Sequence, residues 1–493
     1  MKSFLEIESD RAKYHKYGHK NTVHRSSLLV PRFETATTYI SFLNHFILKR
    51  KIADVTLKIT PLNNEGHPED ALSFEIKEPR VYSLNLDELF KDQNEIKEYA
   101  VEFYSDKNLL IPFPAVMVNH VGPDFVNSVH SYNRILNDIF EDDKVNKHQV
   151  YESSIDVIVD NEYDTFFNFA TGIFKVKDNI SVSNSQCKEK KLIPVELERL
   201  TNKNYFLSDI FNKELSEGTI LKILQPKQSL FYGRLLSGVM NRKTKSFSAN
   251  HSYYDSSPTE EYFKNSQSYR TYPYFPDCQN GITMYPIMSP STLDIHIELS
   301  GYDKKYRSEA KTITSPSNKP IVFNINELVG ESGISSVTLF KVVANTGAQK
   351  IPTRVNHQLI YESCDSKSKL RCSINTSLFN KNILVPPQKT GFTWGQVLCD
   401  QNYESRLGIC FDDNFGEPEE ISIEFYSKNG LIKSLNQILV PLNSLIFDNE
   451  FFKNIDVSNE FIWFVAKSKR PDIRAECFHY DRNTGNASGE HSF

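Results

Sequence analysis

The stretch Leu293-Asp294-Ile295-His296-Ile297-Glu298-Leu299 alternates apolar and polar side chains without a break. Successive side chains of an extended chain point to opposite faces. Four apolar residues therefore share one face, and Asp294, His296 and Glu298 share the other. This is the signature of a half-buried strand. The same period of two marks 55–59, 72–76 and 421–425, and the last is followed by Asn429-Gly430 before another apolar run. Asn-Gly between apolar segments is a strong hairpin signal. The 34 Phe and 24 Tyr add to the β preference, because aromatic and β-branched residues suit a pleated surface.

A loose repeat organises these strands. Short leucine-ended segments occur at SLNLDEL (83–89), PVELERL (194–200), FNINEL (323–328) and VPLNSL (440–445). Each precedes a histidine: His130, His251, His357 and His479. The leucines at 89, 200, 328 and 445 lie 111, 128 and 117 residues apart, and the histidines 121, 106 and 122 apart. A period of this size suits duplicated sandwich domains. One observation opposes the register: EFYS falls after the first leucine segment (102–105) but before the fourth (424–427).

The expected architecture is all-β, with four tandem β-sandwich or jelly-roll-like modules in two halves. A polar arm spans 1–27, followed by modules at 28–148 and 149–255. An ordered Tyr- and Pro-rich strap spans 256–280, and the remaining modules span 281–379 and 380–493. A short helix is expected at 135–140 as a connector, and a polar loop at 178–190. Leucine segments are expected to be inward faces of core strands.

Bulk properties limit the function. A net charge of −5 gives no nucleic-acid signature. No 18-residue apolar run offers a transmembrane helix. The first residues carry acids and lack the apolar region of a secretory signal, so a cytoplasmic location is the default, with export by another route left open. Seven cysteines without C-x-x-C point away from a disulfide framework or zinc ribbon and toward reduced, buried thiols. The Asn-x-Ser/Thr sites at Asn179, Asn250, Asn375 and Asn486 read as composition.

The site-like residues cluster at the C-terminal end. His479, Asp481, Glu490 and His491 combine imidazole and carboxylate, a donor set able to hold a divalent metal or to pair a base with an orienting acid. His251 and Asp255 form a smaller counterpart, and Arg482 a further binding candidate. Cys477 and His479 share a face if extended. Trp394 is the better exposed candidate for stacking on sugar rings, and Trp463 reads as a buried strand residue. No nucleophile or nucleotide motif occurs. Two readings stand: a non-catalytic binding or structural protein with a glycan or protein partner, or a metal-dependent enzyme acting on saccharides.

Overall fold

The computed structural model describes residues 24–93, 95–107, 115–130, 133–137, 142, 152–154, 157–184, 190–211, 215, 221–254, 262–264, 266–284, 292–301, 304–313, 320–332, 336–347, 350–378, 390–412, 416–455 and 460–493. The chain divides into two compact units between Tyr254 and Asp255. Each unit contains two β-sandwich modules. All strand pairs are antiparallel.

The first module has strands His24–Pro31, Thr37–Leu43, Thr56–Asn63, Leu72–Glu75, Val81–Asn85, Ile96–Ser105, Met117–Val121 and Val126–His130. Numbered one to eight, they form one sheet in the order 1-6-3-4 and a second in the order 5-2-7-8. The other three modules repeat this order, the second with an added strand, Tyr253–Tyr254, beside its strand one. In the second module the strands are Glu152–Ser154, Tyr163–Ala170, Val176–Asn184, Lys190–Leu197, Asn202–Phe206, Leu221–Leu224, Leu236–Asn241 and Phe247–His251. In the third they are Gln267–Pro273, Cys278–Met284, Leu293–Gly301, Lys304–Ile313, Ile321–Asn324, Val337–Thr346, Asn356–Ser363 and Cys372–Ser377. In the fourth they are Gly391–Cys399, Tyr403–Phe411, Glu419–Ser427, Gly430–Leu439, Leu445–Phe447, Glu460–Ser468, Ile473–Asp481 and Ala487–His491. The second and third modules add a short strand between strands six and seven, Phe231–Gly233 and Ile351–Pro352. These pair with Asn133–Ile135 and Tyr262–Phe263 respectively.

The alternation produces the cores. Leu293, Ile295, Ile297 and Leu299 are fully buried, each worth about 1.5–3 kcal/mol on removal from water. Asp294 on the opposite face is exposed. His296 is buried too, with Nδ1 3.3 Å from the Asn345 amide.

A short helix follows strand five in every module: Leu86–Leu89, Leu207–Phe211, Ile325–Ser332 and Asn449–Lys453. The helices begin at 86, 207, 325 and 449, intervals of 121, 118 and 124 residues. A side-chain oxygen satisfies the first turn each time. Asn85 accepts from Glu88 N at 3.1 Å, Asn324 from Glu327 N at 3.4 Å and Asp448 from Phe451 N at 3.2 Å. In the second module Asp164 does this from strand two, accepting from Ser208 N at 3.3 Å.

This helix corrects the leucine register. Segments 83–89 and 323–328 cross from strand five into the helix, so Leu84 is a strand residue but Leu86, Leu89 and Leu328 are helical. Segments 194–200 and 440–445 lie earlier, around the end of strand four. Their true counterparts are 202–211 and 445–453. EFYS belongs to strand six of the first module and strand three of the fourth, so the match is coincidental. Residues 267–273 and 278–284 are strands one and two of the third module, not an irregular strap: they pair with strands six and seven, and Tyr269 and Tyr272 in them and Tyr274 between them are buried. Residues 178–184 are strand, and so is 24–27 of the expected arm. Ile135 ends a strand, and 138–140 of the expected helix lie outside the described residues.

Candidate polar seams between paired modules

Within each unit the eighth strand of one module lies against the eighth strand of the other. Polar residues concentrate at these seams. In the N-terminal pair, Asn127 accepts from Ala249 N at 2.7 Å, and Asp124 accepts from Ser246 Oγ at 2.7 Å. Phe33 and Phe247 pack with centroids 4.5 Å apart, and Phe33 meets His120 edge-on at 4.8 Å. His120 is pushed down to about 4 by burial, against the Pro31 carbonyl it bonds at 3.0 Å.

His130 and His251 each end an eighth strand, and their rings meet at 4.2 Å, edge to face. His251 Nδ1 lies 3.0 Å from Ser252 O and 3.3 Å from Arg234 Nη1. A carbonyl only accepts and a guanidinium only donates, so Nδ1 cannot satisfy both. Asp255 lies outside the described residues.

In the C-terminal pair the four expected metal-binding residues do not act as one set. His479 is buried in strand seven beside the Tyr403 ring, 5.8 Å away. Asp481 shapes the following turn: Oδ1 accepts from Asn483 N at 2.9 Å, Thr484 N at 2.8 Å and Thr484 Oγ1 at 3.0 Å. Glu490 and His491 do meet, with His491 Nε2 3.7 Å from Glu490 Oε1. His491 Nδ1 lies 2.9 Å from Ser492 O, the same geometry as His251 with Ser252. His357 is in strand seven of the third module, bonded to the Tyr272 hydroxyl and pushed down to about 3 by burial.

The histidines of the sequence pattern thus fall on two different strands. The recurring pair is His-Ser at 130–131, 251–252 and 491–492, replaced by Thr376-Ser377 in the third module. The segment 241–252 (NRKTKSFSANHS) matches 481–492 (DRNTGNASGEHS) at a constant offset of 240 residues. Arg, Thr, Ser, His and Ser coincide in that register. The sequence carries this signal, and it aligns His251 with His491 rather than with His479.

Other candidates have structural roles. Trp394 is buried, not exposed: Phe493 stacks on it at 5.8 Å, and Phe392 meets it edge-on at 5.4 Å. This removes it as a sugar platform. Trp463 is fully buried, as its apolar run implied. Exposed Arg482 pairs with Glu404 at 2.9 Å, and Glu404 also pairs with Arg406, which reaches Asp277 of the third module. Cys477 is no partner for catalysis by His479, since burial pushes its thiol well above the ordinary value, with Glu476 and Glu490 adding to the rise. Of the described cysteines, only Cys364 is exposed.

Sequence reasoning missed the charges beneath the C-terminal seam. Asp412 follows strand two of the fourth module. It accepts from Thr271 N of the third at 3.2 Å, and its carbonyl accepts from Thr271 Oγ1 at 2.9 Å. Arg474 Nη1 reaches Asp412 Oδ1 at 3.2 Å, while its other arm pairs with Glu476. The same guanidinium lies 4.7 Å over the Tyr272 ring. Burial pushes Asp412 up to about 6, and Arg270 pulls it down. Desolvated ions of this kind persist only when paired.

No protein-family model and no curated protein matches the chain. Similar solved structures include the FN1–FN3 domains of chicken CNTN1, at 10% identity and a TM-score of 0.09, covering 69% of this chain and 97% of that one. Another is a tetra-tandem repeat in the extending region of a large adhesion protein, at 8% identity and a TM-score of 0.10, covering 95% of this chain and 98% of that one. Likenesses this low carry no argument. The assignment of tandem β-sandwich modules rests on the strand pairing.

Proposed function

We propose that this chain is a non-catalytic structural or binding protein, a scaffold of four sandwiches that presents surfaces to a protein partner. The observation that carries this reading is the fate of its polar groups. Asp481 holds a turn, Arg482 and Arg406 form an ion-pair chain, and Asp412 and Arg474 tie one module to the next. Asp412, through Thr271, and Arg406, through Asp277, fix the fourth module against the third. Burial of Trp394 removes the basis for a sugar platform there and favours a protein partner over a glycan. No helix among the described residues is long and apolar enough to cross a membrane.

Metal analysis of the purified full-length chain separates this reading from a metal-dependent enzyme. The scaffold reading expects no stoichiometric zinc, iron or manganese. One ion per chain, lost in Glu490→Gln and His491→Ala, would contradict it.

A further inference from the structure

In the order 1-6-3-4, strand four is a sheet edge with no further strand paired to it among the described residues in every module. An unpaired edge offers a row of backbone donors and acceptors to another strand, and proteins usually block it. Three modules do so. The first has only four residues, Leu72–Glu75. The second, Lys190–Leu197, has Pro194 in mid-strand and begins with two lysines. The third, Lys304–Ile313, carries Lys304, Lys305, Arg307 and Lys311. The fourth, Gly430–Leu439, has ten residues, no proline and one charge. That charge, Lys433, is folded back over the Phe451 ring of its own module at 4.6 Å. Leu431 and Ile438 on this strand are 54% and 64% exposed.

The strand is also complementary to itself. It pairs with strand three as Glu420↔Ile438, Ser422↔Asn436, Glu424↔Ser434 and, past a bulge, Tyr426↔Leu431. The bulge brings Leu431 onto the same outer face as Ser434, Asn436 and Ile438. A two-fold axis through Leu435 then sets Ser434 against Asn436 of a second copy and Lys433 against Gln437. Counted past the bulged Ile432, Leu431 meets Ile438. The two most exposed apolar side chains of the edge cover each other, and no lysine faces a lysine.

We propose that strand four of the fourth module is an assembly edge. A second copy of this chain adds to it antiparallel, merging two four-stranded sheets into one of eight. This goes beyond the scaffold reading, which a monomeric protein would leave standing.

Sedimentation of the full-length chain tests it. Wild type should shift with concentration from 56.8 kDa toward twice that mass. The double variant Leu431→Lys, Ile438→Lys should weaken dimerisation more than about tenfold, because an ammonium buried against an apolar side chain is strongly disfavoured. Leu192→Lys, on the second module's edge, should leave it unchanged. Wild type that stays monomeric at all concentrations overturns the proposal. So does a dimer that survives the double variant, or one that Leu192→Lys disrupts equally. If the double variant unfolds, Ser434→Cys with Asn436→Cys in a Cys187→Ser, Cys364→Ser background decides. An intermolecular disulfide supports the register, and its failure to form under mild oxidation overturns it.

Discussion

Glu98 lies on strand six of the first module, on the face shared with Leu29, Leu62 and Ala100. Ala170 and Phe231 of the second module pack into the same cluster. Neither carboxylate oxygen makes a well-formed hydrogen bond among the described residues. Burial pushes the carboxyl up to about 8, and the Asn202 amide opposes this. Unfolded, it titrates near 4.5. Below that pH both states hold the proton, and the folded site is uncharged. As pH rises toward 8 the unfolded chain loses its proton first, so stability falls across this window. The loss levels off above 8 at up to roughly 5 kcal/mol. Glu98→Gln should therefore remove the decline. Urea unfolding at pH 5 and pH 8 measures it, with the wild type losing stability relative to the variant; parallel behaviour of the two would contradict the account. An acid in a strand with apolar residues on both faces was visible at 96–105. Its neighbours across the seam were not, since they lie more than 70 residues away along the chain.

Between residue and module, the hairpin joining strands seven and eight shows how one turn is built twice. Asn241 Oδ1 accepts from Lys243 N at 2.9 Å and Thr244 N at 3.0 Å, as Asp481 does for Asn483 and Thr484. The turn ends in a left-handed residue, Lys245 at φ 64° in one copy and Gly485 at φ 75° in the other. A Cβ on Gly485 would meet Ser366 Oγ at 2.4 Å. Gly485→Ala is expected to cost about 1–3 kcal/mol, from both the clash and the backbone. Lys245→Gly is expected to be neutral or stabilising by about 0.5–1 kcal/mol, because glycine relieves the left-handed strain. Thermal unfolding of the two variants checks the opposite signs. Strands were legible at this scale because alternation reports a buried face locally. The strand-five helices were not: each is four to eight residues long and is set by one capping oxygen, which in the second module comes from Asp164, 44 residues away. The aromatics of 267–284 suggested irregular packing, when they fill the interior of the third module.

At the scale of the whole molecule, four modules of one topology are grouped as two pairs. The period was legible, but its register was not. Leucine and histidine recur often enough to be matched at neighbouring strands, whereas the constant 240-residue offset between 241–252 and 481–492 follows the fold. Of the residues expected to form a site, Glu490 and His491, neighbours in sequence, lie 3.7 Å apart. His479 and Asp481 serve the strand and the turn. The buried Asp412–Arg474 contact escaped notice because its partners lie 62 residues apart along the chain. Pairing by eighth strands makes each pair, rather than each module, the unit that a partner would meet.

Hydrogen exchange on the intact chain, read by peptide mass spectrometry, tests the fourfold repeat most directly. The account predicts slow exchange in central strands two, three, six and seven of every module, including 278–284, and faster exchange along the strand-four edge of the first three modules. Exchange of 278–284 at the rate of an unstructured linker, or protection without a period near 120 residues, would contradict it.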